Sequence, residues 1–230
     1  MKKLIVLNHK MSMLYDDVYY YIEQLNNIDT ENDIIVCPSN IYLEAFLGSS
    51  DYPIGSQDVC ASTDVNNTGE ISTDQLKSLG VEYSMVGHFE RHENSTVINE
   101  KLLAVLDANV FPILCFGEGI DEDYREVIPN KLDAYLRDIK NIQFIIFVYE
   151  PEYALDTGTL PKEERINEVT EFISKYLEDK YHQKPNLLYG GGVDSSNVKD
   201  ILSIDSINGV VIGSISSDIK EVHKIINNIS

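Results

Sequence analysis

Five short segments of the sequence carry residues that could perform acid–base chemistry and bind an anion. They read Asn8-His9-Lys10, Gly87-His88-Phe89-Glu90-Arg91, Tyr149-Glu150-Pro151, Tyr189-Gly190-Gly191-Gly192 and Gly213-Ser214. Together they supply a carboxylate, an imidazole, an ammonium group and two glycine-bearing turns. This set suits proton abstraction next to a carbonyl. The carboxylate takes the proton, and a neutral imidazole donates its one hydrogen bond to either of the two oxygens in turn. The ammonium offsets the enediolate charge, and backbone N–H groups hold an anionic end.

Taken singly, each of these residues has an ordinary structural explanation. A lysine at a strand end is commonly a surface charge, and a histidine near a core is commonly structural. A glutamate before proline can open a helix, and a run of glycines can form a tight turn. The chemistry therefore depends on elements that bring the five segments to one place.

Eight apolar runs predict β-strands, and five of these runs lead into the five segments. They are Lys3–Leu7, Asp33–Pro38, Ile54–Val59, Tyr83–Gly87, Phe111–Gly117, Gln143–Tyr149, Asn186–Tyr189 and Gly209–Gly213. Nearly continuous Ile, Val, Leu and Phe is typical of parallel strands that are covered on both faces. Amphipathic segments between the runs predict helices, among them Asp16–Asn26, Asn99–Ala108, Glu163–Tyr181 and Asp218–Ile229. Pro129 predicts a kink or a late start in a further helix over Tyr124–Ile139.

Eight strand–helix units in 230 residues leave roughly 29 residues for each, close to the roughly 30 that a strand and its crossover helix need. No linker divides the chain, so we expect one α/β domain over residues 1–230, closed as a (β/α)8 barrel. A doubly wound open sheet is the alternative, but Asn8-His9-Lys10 stands where its GxGxxG fingerprint would follow the first strand. In a barrel the functional groups stand at the carboxyl ends of the strands, so the five segments would meet at one rim.

The charge and the cysteine content limit the partners. With 38 acidic and 18 basic residues the net charge is −20, which argues against nucleic acid or an anionic membrane as the main partner. The first ten residues contain four consecutive apolar residues, too few for a signal peptide or a membrane span, so we expect a cytoplasmic protein. Three cysteines without a CxxC pair predict reduced thiols. No cluster with metal-ligand spacing appears, and we expect neither a metal nor an organic cofactor.

In its longer motifs the chain resembles the triosephosphate isomerase family over almost its whole length. The similar stretches are Asn8-His9-Lys10-Met11, Gly55-Ser56-Gln57-Asp58-Val59, Asn67-Thr68-Gly69-Glu70-Ile71-Ser72, Gly80-Val81-Glu82-Tyr83, Gly87-His88-Phe89-Glu90-Arg91, Pro112-Ile113-Leu114-Cys115-Phe116-Gly117-Glu118, Tyr149-Glu150-Pro151, Ala154, Thr157-Gly158, Leu188-Tyr189-Gly190-Gly191 and Val211-Ile212-Gly213. The Glu-Pro pair, the Gly-His-x-Glu-Arg run and the Tyr-Gly-Gly turn, in this order, make the resemblance specific.

The resemblance implies a role for each matching residue. Glu150 is the base that abstracts the carbon-bound proton, and His88 is the neutral electrophile. Lys10 is the cationic stabiliser, and Asn8 beside it hydrogen-bonds the substrate. Glu90 contacts these catalytic residues but not the substrate.

The resemblance also implies a phosphate grip, a lid and a partner. Backbone N–H groups at Gly192, Gly213 and Ser214, together with Asp156 in the lid, take the positions that bind the phosphate of a small sugar substrate. Residues Pro151–Pro161 correspond to the lid that closes over substrate in triosephosphate isomerases. Thr68 is at the tip of a loop that reaches into the partner subunit, which implies a homodimer.

Five positions depart from the family pattern, and all are expected near the substrate: His9, Phe89, Asp156, Gly192 and Ser214. They leave three readings open. The chain is a triose-phosphate isomerase, a related ketose–aldose isomerase for another small sugar phosphate whose pocket is reshaped by His9 and Phe89, or a non-catalytic barrel. Retention of the base, the imidazole and the cation argues against the third, because a scaffold has no need of them at one rim.

Overall fold

The computed structural model of the protein describes residues 2–62, 64–157 and 160–229, with the backbone alone at residues 156 and 157. Strands and helices alternate along this part of the chain. The strands are β1 (Leu4–Asn8), β2 (Asp33–Cys37), β3 (Gly55–Ser56), β4 (Tyr83–Val86), β5 (Phe111–Phe116), β6 (Ile146–Tyr149), β7 (Asn186–Gly190) and β8 (Gly209–Ile212). The helices are α1 (Tyr15–Asn26), α2 (Leu43–Ser49), α3 (Thr73–Leu79), α4 (Ser95–Asp107), α5 (Tyr124–Tyr135), α6 (Glu152–Thr157), α7 (Glu163–Tyr181), α8 (Val198–Ser203) and α9 (Ile219–Ile229).

The eight strands form a nearly closed parallel barrel. Their order is β2-β1-β8-β7-β6-β5-β4-β3. At the remaining seam, Val36 and Ile54 form a parallel bridge, and the Val36 N–H donates to the Pro53 carbonyl oxygen at 3.0 Å. The predicted α/β fold, a (β/α)8 TIM barrel, is confirmed, and the open doubly wound sheet is excluded.

Two layers of apolar side chains explain the continuous apolar runs. Successive residues of a strand point to opposite faces, so one set fills the barrel and the other packs under the helices. The inner set consists of Val6, Ile35, Cys37, Met85, Ile113, Cys115, Ile146, Val148, Leu188 and Val211. The outer set includes Ile5, Leu7, Leu114, Phe147, Tyr149, Leu187 and Tyr189. The directions of Asn8 and Glu150 at the strand ends follow from this alternation.

Two strands, β3 and β6, are shorter than the apolar runs predict by three residues or more. β3 is limited to two residues because the chain leaves the ladder at Gln57, whose side-chain amide donates to the carbonyl oxygens of Lys10 at 2.8 Å and Cys37 at 2.9 Å. β6 begins at Ile146 rather than Gln143. A turn precedes it, in which the Ile145 N–H donates to the Ile142 carbonyl oxygen at 3.0 Å.

Capping side chains set the helix starts that differ from the predictions. α4 begins four residues before Asn99 because the Asn94 side chain accepts from the N–H groups of Thr96 and Val97. α5 begins at Tyr124, capped by Asp123, and continues through Pro129 to Tyr135. Of the two alternatives expected for Pro129, a kink or a late start, the late start is excluded. None of the described helices is long and apolar enough to cross a membrane.

Candidate active site

The inward-pointing rows of the barrel continue past its carboxyl rim into a pocket. Asn8, Glu150, Gly190 and Gly213 each lie two residues after an inner-layer residue, and so keep its direction. The pocket at this mouth has a volume of about 290 Å³. The predicted residues that line it are Asn8, Lys10, His88, Glu150, Gly192, Gly213 and Ser214. The residues that the five sequence segments are expected to bring to one rim therefore line a single pocket.

Glu150 is a buried carboxylate with a free oxygen. The residue is 3 % exposed, and its Oε2 has no hydrogen-bond partner in the described part of the chain. Oε2 lies 3.7 Å from His88 Nε2, too far for a hydrogen bond. Gly190 leaves the space that the carboxyl group fills, since a Cβ at this position would lie 2.5 Å from Oε1. Burial and the adjacent Glu150 carboxylate raise the pKa of the Cys115 thiol well above its ordinary value.

His88 presents a donor to the pocket. It precedes the short 3-10 turn Phe89–Arg91, and its Nδ1 accepts a hydrogen bond from the Glu90 backbone N–H at 3.3 Å. In the neutral ring this bond assigns the remaining proton to Nε2, on the side of Glu150. Gly87 allows this placement. Its φ of +76° turns the chain after β4, and a Cβ there would lie 2.9 Å from the Cys115 carbonyl oxygen.

Lys10 is held in a left-handed backbone conformation with a φ of +50°. Such a conformation costs a non-glycine residue on the order of 1–3 kcal/mol. Its N–H donates to Asn8 Oδ1 at 3.1 Å, and its carbonyl oxygen accepts from Ser39 Oγ at 2.6 Å and Gln57 Nε2 at 2.8 Å. The Lys10 ammonium pairs with Glu90 Oε1 at 2.5 Å. Since Asn8 Oδ1 is engaged, its Nδ2 group is the one available to a ligand.

The remaining side of the pocket can hold an anion with backbone N–H groups. Gly213 and Ser214 open the 3-10 turn Ser214–Ser217, and the first N–H groups of a helical turn have no carbonyl partner within it. Asp194 also lines the pocket. Its Oδ1 accepts from the N–H and the hydroxyl of Ser196 at 2.8 and 2.6 Å, so its charge is engaged by the following turn.

Two of the departures from the family pattern, His9 and Phe89, do not line the pocket, so the expectation that their side chains reshape it directly is wrong. His9 points to the outer layer, because it alternates with Asn8 on β1, and its ring packs against Tyr21 and Phe46. Burial lowers the pKa of His9 to about 3. Phe89 packs edge-on against the His92 ring, with centroids 5.4 Å apart, and is absent from the pocket lining.

The structure describes only part of what bears on two further predictions, those for Asp156 and Thr68. Asp156 belongs to helix α6, but its side chain lies outside the described residues, and so does the predicted contact with phosphate. Thr68 is exposed. It lies in a loop whose base is closed by a bridge between Cys60 and Ser72.

Sequence reasoning gave no role to the residues that anchor the segment after Glu150. The carboxylate of Glu118, fully buried, accepts from Tyr149 Oη at 3.0 Å and from Arg165 Nη2 at 3.1 Å, and its carbonyl oxygen accepts from the Glu152 N–H at 3.0 Å. Lys131 Nζ pairs with Glu152 Oε1 at 2.5 Å. The start of the predicted lid at Glu152, and Arg165 four residues beyond its end, are thereby tied to Glu118. The position of Glu118 just after a strand was the available signal.

A larger depression of about 660 Å³ lies at the opposite mouth of the barrel. Lys2 and Asp33, which pair at 2.7 Å, are among its charged lining residues, and none of the predicted site residues lines it. Among the described residues, no group of three or more His, Cys, Asp or Glu side chains could hold a metal ion.

The fold and the pocket together define a (β/α)8-barrel enzyme of the isomerase type. The chain belongs to the triosephosphate isomerase family, whose model matches residues 3–229. A relative named triosephosphate isomerase from Wolbachia pipientis wMel is 33 % identical, covering 100 % of this chain and 95 % of the relative. Relatives of the same name from Thermodesulfovibrio yellowstonii, 30 % identical over 98 % of both chains, and Francisella tularensis subsp. mediasiatica, 29 % identical over 99 % and 97 %, are similar over comparable lengths.

Proposed function

We propose that the protein is a triose-phosphate isomerase that interconverts D-glyceraldehyde 3-phosphate and dihydroxyacetone phosphate through an enediolate. The observation that carries the proposal is the free Oε2 of buried Glu150, 3.7 Å from His88 Nε2, in a pocket that also holds Lys10. A base, a neutral donor and a cation at this spacing fit a small substrate that lies between them.

The proton moves between two neighbouring carbons without any external reactant. Glu150 takes the proton from the carbon next to the carbonyl, and the electron pair of that C–H bond passes to the carbonyl oxygen. His88 Nε2–H stabilises the developing charge and transfers a proton between the two oxygens. The Glu150 carboxylic acid then returns its proton to the other carbon. Lys10 and the Asn8 amide stabilise the enediolate from the other side, where a buried setting strengthens each charge interaction.

The phosphate is the anionic end that the glycine-bearing turns accept. Backbone N–H groups at Gly192, Gly213 and Ser214 would bind it, with Lys10 as the nearest cation of the pocket. This local arrangement works against the net charge of −20. Residues 151–161 would act as the lid, closing from the anchors that Glu118 and Lys131 provide.

A coupled assay with two substrate lengths tests the proposal. We expect turnover of both triose phosphates, and a kcat/KM at least about tenfold lower for a four-carbon ketose phosphate, because one extra carbon in a fitted pocket costs about 10–200-fold. A preference for the four-carbon substrate would indicate a related ketose–aldose isomerase. No turnover with either substrate, together with no binding of inorganic phosphate, would indicate a non-catalytic barrel.

We further propose that the enzyme is a cytoplasmic homodimer. The loop that carries Thr68 and a group of exposed apolar side chains support an interface between two copies; Met11, Leu14 and Ile41 are 91 %, 70 % and 81 % exposed. Cys37, Cys60 and Cys115 are free thiols, which fits a reducing compartment. Sedimentation equilibrium would give twice the chain mass of 26.0 kDa, and a monomer mass would contradict the dimer.

A further inference from the structure

A buried chain of hydrogen bonds connects strand β1 to the turn that follows strand β8. His9 Nε2 lies 3.0 Å from Tyr21 Oη, and Tyr21 Oη lies 2.6 Å from the Ser216 carbonyl oxygen. The exposed fraction of these residues is 2 % or less. The proton transfer proposed above uses none of them.

The direction of the two bonds follows from the number of protons. A carbonyl only accepts, so the single phenol proton of Tyr21 goes to Ser216, and the Tyr21 oxygen accepts from His9 Nε2–H. Burial lowers the pKa of His9 to about 3 and raises that of Tyr21, which leaves both rings neutral. His9 Nδ1 then carries a lone pair, and no partner for it exists among the described residues. The bonds run one way, so each polarises the next.

Both ends of this series of hydrogen bonds lie next to pocket-lining residues in the sequence. His9 lies between two pocket residues at the end of β1, and Ser216 belongs to the 3-10 turn Ser214–Ser217. The Ser216 N–H donates to the Gly213 carbonyl oxygen at 2.8 Å, while its own carbonyl accepts from Tyr21. Tyr21 on α1 therefore holds the turn in place at Ser216, the residue whose N–H closes the turn.

We infer that Tyr21 is a positioning residue for anion binding, which sets the backbone of the turn Ser214–Ser217 so that its first N–H groups meet the substrate phosphate. This inference rests on the proposed function for the identity of the ligand. Tyr21 acts through the turn, because it lies on α1 outside the pocket lining. Glu150 and His88 follow strands β6 and β4, which the Tyr21 hydroxyl does not contact through either of its two hydrogen bonds, so the proton transfer does not depend on the hydroxyl.

The substitution Tyr21→Phe removes one oxygen and tests the inference. We expect the Kd of inorganic phosphate, measured by calorimetry, and the KM for the triose phosphate to rise about fivefold, with kcat within about twofold of the unmodified protein. Fivefold corresponds to a neutral hydrogen bond of about 1 kcal/mol at 1.4 kcal/mol per tenfold change. Tyr52→Phe is the matched control, because the Tyr52 hydroxyl also donates to a carbonyl, that of Ile28 at 3.1 Å, and Tyr52 lines the opposite mouth of the barrel.

Unchanged phosphate binding in folded Tyr21→Phe, or an equal weakening in Tyr52→Phe, would overturn the inference. If the unmodified protein binds phosphate but lacks isomerase turnover, the proposed function fails while the phosphate measurement still decides the role of Tyr21. Absence of phosphate binding in the unmodified protein would overturn the inference as well.

If Tyr21→Phe does not fold, as judged by circular dichroism, His9→Phe replaces it. This variant removes the donor to Tyr21 Oη and keeps a ring against Phe46, whose centroid lies 5.5 Å from that of His9. A smaller rise in the phosphate Kd, about twofold, is expected from the loss of polarisation alone. A Kd equal to that of the unmodified protein would contradict the inference.

Discussion

Substituting Gly190 with alanine would test how closely Glu150 must be placed, since the added methyl group would enter the space of the carboxyl group. Its Cβ would lie 2.5 Å from Glu150 Oε1, 2.6 Å from Cγ and 3.0 Å from Cδ. All three atoms belong to one flexible side chain. The backbone of the barrel can therefore stay in place while Glu150 moves, and the variant should fold.

The expected loss of rate follows from the size of this movement. Ordinary contact begins at 3.4 Å, so Oε1 must retreat by 3.4 − 2.5, about 0.9 Å. A misplacement of about 1 Å in a reacting group costs about 10²-fold in rate. We expect kcat to fall by about 10²-fold. KM should stay within about twofold, because the three atoms nearest to the added Cβ all belong to Glu150 and none to Gly213 or Ser214.

Steady-state kinetics in both directions, with thermal unfolding as a measure of folding, would check this prediction. Gly48→Ala is the matched control, since Gly48 is exposed on α2 and no atom of the described residues would lie within 4 Å of the added Cβ. Its kcat should equal that of the unmodified protein. A folded Gly190→Ala variant with kcat within twofold of normal would refute the reasoning that places Glu150 at the reacting carbon.

Two further predictions concern charge and pH. Asp156→Gly should lower the KM for the triose phosphate by tenfold or more, because a carboxylate about 6 Å from a doubly charged phosphate costs about 1–6 kcal/mol; an unchanged KM would contradict a contact with phosphate. The pKa of His9 is lowered from 6.5 to about 3 in the fold, so between these values only the unfolded state binds the proton, and the free energy of unfolding should fall by about 1 kcal/mol per unit as pH decreases. The free energy of unfolding, measured with urea at several pH values from 6.5 to 4.5, should depend on pH less steeply by this amount in His9→Phe. An equal pH dependence in the two proteins would contradict the burial of a neutral ring.

The strand ends could be predicted from the sequence because parallel strands have a strong apolar signature. The rule that functional groups stand at the carboxyl ends then places Asn8, Glu150 and Gly213 together. Alternation along β1 would also have placed His9 in the outer layer, since it lies between two residues that face the pocket. The direction of Gln57, which shortens β3, depends on carbonyl groups of two other segments, and no local pattern records it.

Long-range polar contacts account for the rest of what the sequence could not predict. The pair of Glu118 and Arg165 joins residues 47 positions apart, and Tyr21 and Ser216 are 195 positions apart. Such contacts form because the closed barrel brings distant segments together, and the spacing of residues within one segment does not predict them. The left-handed conformation of Lys10 is similar, because three hydrogen bonds from separate elements hold it.

The central claim is that Glu150 is the base, and Glu150→Gln tests it most directly. The amide keeps the shape of the side chain but cannot take the proton, so turnover of glyceraldehyde 3-phosphate should fall by about 10²–10⁴-fold while an enediolate-like phosphate inhibitor still binds. Glu82→Gln, an exposed change directly before β4 at the far end of the barrel, is the control and should leave turnover unchanged. Near-normal turnover in Glu150→Gln would contradict the account.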